Sequence, residues 1–186
     1  MTKTSVTKIV LLLILFTGII QYFYPSIIDI IALSPRDISL NPIKYVINIV
    51  SHMFVHLSFF HLLANTLFIF FFGSILEERI GSLKYGLVFL TTGIVAGLVF
   101  TLLTLMYSLN YGGAGASGAA LGVFACLVSL APEMNVYIMF TKFRITHTLY
   151  ILTAIYILSL SIESITHITG IIVGSVIGRN LKYKGG

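Results

Sequence analysis

Ser117 lies in the segment YGGAGASGAALG, Tyr111–Gly122, between two strongly apolar stretches. A serine hydroxyl becomes a nucleophile when a neighbouring base can take its proton, and histidine is the usual base. The polar side chains placed at the depth of the apolar segments are His52, His56, His61, Asn65, Ser117 and His167. Such groups cost several kcal/mol in hydrocarbon unless paired or wet, which makes each a candidate for chemistry. Ser117 paired with His167 would have the minimum apparatus for attack on a carbonyl. His61 and Asn65 are four residues apart, share one helix face, and could donate to the oxyanion that such an attack forms. The Ser117 backbone N–H, free at a helix N-terminus, would be a third donor. Taken singly, His61 and Asn65 also fit an ordinary interhelical hydrogen bond. Ser117 by itself also fits close helix packing.

Glycine spacing brings the two candidate groups together. Gly118 and Gly122 form a GxxxG pattern after Ser117, and Gly170, Gly174 and Gly178 repeat that spacing after His167. Small residues four apart let two helices approach closely. Packing these two stripes against each other would bring Ser117 and His167 into contact. No Asp or Glu is well placed to orient His167, since Glu163 is one turn away and expected at the interface. The expectation is a Ser–His dyad without a carboxylate, with a neutral His167 as base.

The elements that must carry these residues are membrane helices. Of 186 residues, 58% are hydrophobic and 9% charged, with a mean hydropathy of +1.04. A soluble domain of that length cannot hide so much apolar surface. Six spans are expected, at about 7–27, 54–76, 83–106, 116–131, 146–161 and 167–181. Ser26–Val50 reads as a long, partly interfacial loop, and Asn135–Arg144 as a loop or interfacial segment. Lys182–Gly186 reads as a polar tail. Nine basic residues fall on the side of the termini and two, Arg36 and Lys44, on the other, which puts both termini in the cytoplasm. The prokaryotic plasma membrane is the expected location. The chain is expected to be one membrane domain over 1–186, with its core at 50–181 and no appended soluble domain.

Other chemistries fit less well. The net charge of +5 comes from scattered residues, so no nucleic-acid surface forms. The lone Cys126 allows no disulfide framework. Lys3 and Lys8 before Ile9–Ile20 imitate a secretory signal, but no small-residue cleavage site follows, so the segment is taken as a retained span. Gly113–Gly118 matches GxGxxG without the strand and βαβ unit that a dinucleotide needs. Ala119 breaks the hydrolase pattern GxSxG. A zinc site of His52, His56 and His61 would lack a carboxylate base. No cofactor and no metal are expected. Glu77, Glu78 and Arg79 read as a solvated turn.

Four patterns in order make the chain resemble the rhomboid intramembrane serine proteases. They are His56-LSFF-His61-LLA-Asn65, FGSILEERIG at Phe72–Gly81, Gly115-Ala-Ser-Gly118, and His167-IT-Gly170-IIV-Gly174. The resemblance implies an all-α, six-helix polytopic bundle that cleaves transmembrane protein substrates near their outer end. It implies Ser117 as nucleophile, His167 as base, and His61, Asn65 and the Ser117 N–H around the oxyanion. It also implies a wet cavity and lateral substrate entry past the fifth span. The implied partners are transmembrane substrates and membrane lipid. The sequence is silent on oligomeric state. Two departures stand out: Leu121 occupies the position where an aromatic residue usually packs on the catalytic His, and the first loop has no Trp. The alternative is a non-catalytic relative that binds transmembrane clients; such relatives typically lack the Ser or the His. A small transporter or channel using the His cluster would need paired broken helices or inverted halves, which are not found.

Overall fold

The computed structural model describes residues 5–138, 141–159 and 161–181. Its helices are α1 (Val6–Phe23), α2 (Ile27–Ile31), α3 (Asp37–Leu40), α4 (Pro42–Ser51), α5 (Phe59–Phe68), α6 (Ser74–Ile80), α7 (Ser82–Met106), α8 (Ser117–Leu130), α9 (Ile145–Ser159) and α10 (Ile162–Asn180). A π-helical turn, Ile69–Gly73, joins α5 to α6 into one continuous run. The described residues are mostly helical, as a polytopic membrane bundle requires, because helices satisfy their own backbone groups in lipid. Among the described residues, three helices are long and apolar enough to cross a membrane: α1 with 18 residues, Phe59–Ile80 with 22, and α7 with 25. The apolar helices α8 and α9 are shorter. Lys3, Lys182, Lys184 and the tail Lys182–Gly186 lie outside the described residues.

Boundaries shift from the sequence expectation for local reasons. The second span starts at Phe59 rather than 54, because His52–Phe54 form a 3-10 turn and Ser58 Oγ caps the helix by accepting the His61 N–H at 3.2 Å. The last helix starts at Ile162 rather than 167, because Ser161 Oγ accepts the Ser164 N–H at 3.1 Å. His167 therefore sits in the second turn of α10, not at its end. The first loop is not irregular: it holds α2, α3 and α4, the last opened by Pro42 behind an Asn41 cap. Asn135–Arg144 carries an antiparallel hairpin, β1 (Asn135–Ile138) and β2 (Thr141–Arg144), with Asn135 opposite Arg144. An all-helical reading overlooks it because four-residue strands leave too short an alternation to detect.

The core is organised around α8, which is buried at every position from Gly118 to Val128. Its glycines work in two directions. A Cβ on Gly118 would lie 2.7 Å from the Ala96 Cβ of α7, and one on Gly122 would overlap Thr92. Cβ atoms on Gly170 and Gly174 would run into the backbone carbonyls of Gly118 and Gly122, and one on Gly178 would lie 2.5 Å from the Cys126 carbonyl. The two stripes therefore do not simply interlock. The α10 glycines rest on the backbone of α8, while the missing side chains of the α8 glycines make room for α7. A methyl group at Gly174 has nowhere to go except by separating two helix backbones. We expect Gly174→Ala to destabilise the protein by about 1–3 kcal/mol, read as a lower midpoint of thermal unfolding in detergent.

Glu77 is buried rather than part of a solvated turn, which corrects the sequence reading. Its carboxylate accepts from Ser5 Oγ at 2.8 Å, Val6 N at 2.7 Å and Thr7 N at 2.9 Å. The Val6 and Thr7 donors are free N–H groups at the start of α1, where the helix dipole also favours a negative charge. Glu77 thus clamps the first helix to the second span. Glu77→Ala should cost about 2 kcal/mol in unfolding and loosen α1, read as faster amide exchange over its first turn.

Candidate active site

Ser117 is the first residue of α8, and the residue before it, Ala116, offers no side-chain cap. A Ser, Thr or Asp in that position would occupy the free donors of the first turn; alanine leaves them open. His167 comes from α10, one helical turn before Gly170. The backbone contact at Gly118 and Gly170 fixes the separation of these two helices, and Ser117 Oγ lies 2.7 Å from His167 Nε2. That is hydrogen-bond distance for proton transfer between hydroxyl and imidazole. His167 Nδ1 is buried and has no hydrogen-bond partner among the described residues. Glu163, one turn earlier, is exposed at the rim of the same cavity.

The pair opens into a cavity of about 170 Å³, room for a few waters, since one occupies about 30 Å³ of liquid. Its wall includes His52, His61, Gly115, Ser117, Glu163 and His167. His61 and Ser117 thus line the same cavity. Asn65 is not among the residues that line this cavity. It is buried, and its Nδ2 donates to the His61 carbonyl one turn back at 2.8 Å. Of the two side chains considered as oxyanion donors, His61 alone faces the cavity.

The glycine-rich loop is held open by residues that sequence reasoning did not single out for this. Gly113 and Leu33 of the first loop exchange both backbone hydrogen bonds at 2.9 Å, and Gly115 N donates to the His52 carbonyl at 2.9 Å. Gly115 has φ +122, and a Cβ there would lie 2.5 Å from His61 Cε1. Only glycine both adopts that backbone and leaves the imidazole its place. His56 Nε2 accepts the Ala116 N–H at 3.4 Å, and its ring meets that of His61 edge-on at 5.1 Å. Gln21 of α1 holds His56 in turn, donating from Nε2 to the His56 carbonyl at 2.5 Å and accepting its N–H at 3.3 Å. His52, through its carbonyl, and His56, through Nε2, thus brace the loop before the nucleophile. Gln21 was detectable as a lone amide in an apolar span. Leu33 carried no signal at all.

The first loop is anchored without tryptophan. Asn48 Nδ2 donates to the Ile30 and Ala32 carbonyls at 2.9 Å each, and Ser51 Oγ to that of Ile31 at 3.0 Å. Tyr45 reaches Thr101 of α7 at 3.1 Å. No group of three His, Cys, Asp or Glu side chains that could hold a metal occurs among the described residues.

Residues 44–184 match the family model described as Rhomboid domain. The chain belongs to the rhomboid family. One curated relative, RHOMBOID-like protein 6, mitochondrial, of Arabidopsis thaliana, is 29% identical over 136 residues, covering 70% of this chain and 42% of the relative. The chain therefore spans less than half the length of that relative. Family membership makes it an integral membrane protein of a family that acts on membrane proteins within the bilayer. The relative's mitochondrial name gives no support to the prokaryotic plasma membrane expected from the sequence.

The loop geometry carries a test of its own. Gly115→Ala should displace His61 from the cavity and lower reaction with a small serine-directed probe at least about tenfold, through loss of a positioned donor. The midpoint of thermal unfolding should fall by only a few degrees, since the change is confined to the loop.

Proposed function

We propose that this protein is an intramembrane serine endopeptidase, with Ser117 as nucleophile and His167 as general base. The observation that carries this reading is the 2.7 Å contact between Ser117 Oγ and His167 Nε2 at the wall of a cavity. In the first step His167 Nε2 takes the hydroxyl proton as Ser117 Oγ attacks the peptide carbonyl carbon. The resulting oxyanion is met by the open N–H groups at the start of α8 and by His61. Collapse of the intermediate expels the amine, which takes the proton from His167 and leaves an acyl-enzyme. Water, deprotonated by His167, then attacks the ester and regenerates Ser117. Asn65 acts from behind the cavity wall, holding the first turn of α5 through its Nδ2 on the His61 carbonyl.

The substrates are transmembrane proteins that present an extended backbone to the cavity. The loops lining the cavity, Leu33 to His52 and Tyr111 to Gly115, follow the first and third long helices. Six crossings place that face away from the termini, and the nine-to-two charge bias places the termini in the cytoplasm. Cleavage then occurs toward the outer leaflet.

A fluorophosphonate probe on the detergent-solubilised protein tests the nucleophile. Wild type should label and Ser117→Ala should not; absence of labelling in wild type, or labelling that survives the substitution, refutes the reading. In a reconstituted cleavage assay His167→Ala should lose at least about a hundredfold in kcat. His61→Ala should lose on the order of a hundredfold in kcat with little change in KM, the behaviour of a donor used in the transition state. A protein that binds transmembrane clients without cutting them would show no Ser117-dependent product at all.

A further inference from the structure

Resting on the dyad just described, the geometry points to Tyr156 of α9 as the positioning residue that sets the orientation of the His167 imidazole. A general base must hold one ring nitrogen toward the hydroxyl, and histidine normally achieves this with a hydrogen bond from its other nitrogen. His167 lacks that restraint: Nδ1 is buried without a partner among the described residues. Rotation about the terminal side-chain torsion is broad and nearly two-fold for an imidazole, so one contact at Nε2 does not fix the ring. Packing must do it. The Tyr156 ring lies against His167 with centroids 4.6 Å apart and planes inclined by 59°. Leu121, one turn after Ser117 on α8, is buried but supplies no ring.

The source of this contact has a mechanical consequence. The buried residues of α9 are Ile145 and Leu149, both in its first half. Its second half, where Tyr156 sits, is mostly exposed along the described residues. At its end Ser159 is hydrogen-bonded to Ser164 of α10. The ring that positions the base thus comes from a sparsely buried stretch of helix, so outward movement of the end of α9 would withdraw the ring from His167.

The test compares Tyr156→Phe, which keeps the ring, with Tyr156→Leu, which keeps only apolar volume, on the full-length protein reconstituted in lipid. Tyr156→Phe should retain kcat within about twofold, since the hydroxyl is not used. Tyr156→Leu should lower kcat between about tenfold and a hundredfold with KM within about twofold, the cost of a misaimed base. Tyr156→Met serves as the second ring-free variant if the leucine variant does not fold. A ring-free variant with kcat within twofold of wild type overturns the inference while leaving the dyad intact. Equal losses in the Phe and Leu variants, or a loss confined to KM, also overturn it. Wild-type protein without Ser117-dependent turnover overturns both this inference and the protease reading.

Discussion

Everything at the candidate site depends on how closely α10 approaches α8. A membrane offers no hydrophobic drive for helix association, since lipid tails are as apolar as leucine. What remains is close packing, and Gly170, Gly174 and Gly178 provide it by letting one backbone rest on another. The distance this sets is what places a hydroxyl on one helix 2.7 Å from an imidazole on the other. Because the contact is backbone to backbone, it cannot be adjusted by rotating side chains. A rigid contact of this kind suits a pair whose separation must hold to a few tenths of an ångström.

A second set of interactions keeps the loop before Ser117 in a shape no isolated glycine-rich segment would keep. The chain from Gln21 through His56 to Ala116 runs from the first helix to the residue before the nucleophile. The Leu33–Gly113 exchange and the Gly115–His52 bond add two backbone anchors. Each satisfies donors or acceptors that would otherwise be buried unpaired, at a cost of a few kcal/mol apiece. Polar groups rare enough in lipid to attract attention as candidates for chemistry are here divided between two tasks. Ser117, His61 and His167 face the cavity, His52 both lines it and holds the loop through its carbonyl, and His56 and Asn65 hold the backbone around it.

Much of this is legible in the order of the amino acids. The apolar runs, the four-residue spacing of His61 and Asn65 and the repeated GxxxG patterns are periodic features, and a helix turns such spacing directly into a shared face. Helix starts are less legible, because Ser58 and Ser161 end their loops with hydrogen bonds weaker as sequence signals than the apolar runs beside them. The role of Glu77 escapes a sequence reading for a different reason. A charged residue beside Glu78 and Arg79 looks solvated, and its partners at Ser5, Val6 and Thr7 are some seventy positions away.

The sequence by itself determined that the chain lives in a membrane, which residues are candidates for chemistry, and which helix faces are small enough to meet. These follow from composition and from local periodicity. Tertiary structure alone decided which direction each glycine serves, that His61 rather than Asn65 reaches the cavity, and that a ring from Tyr156 lies on His167. Those outcomes depend on the rotation of each helix about its axis against its neighbours. That rotation is set by the summed packing of α7, α8, α9 and α10, and no spacing within a single helix encodes it.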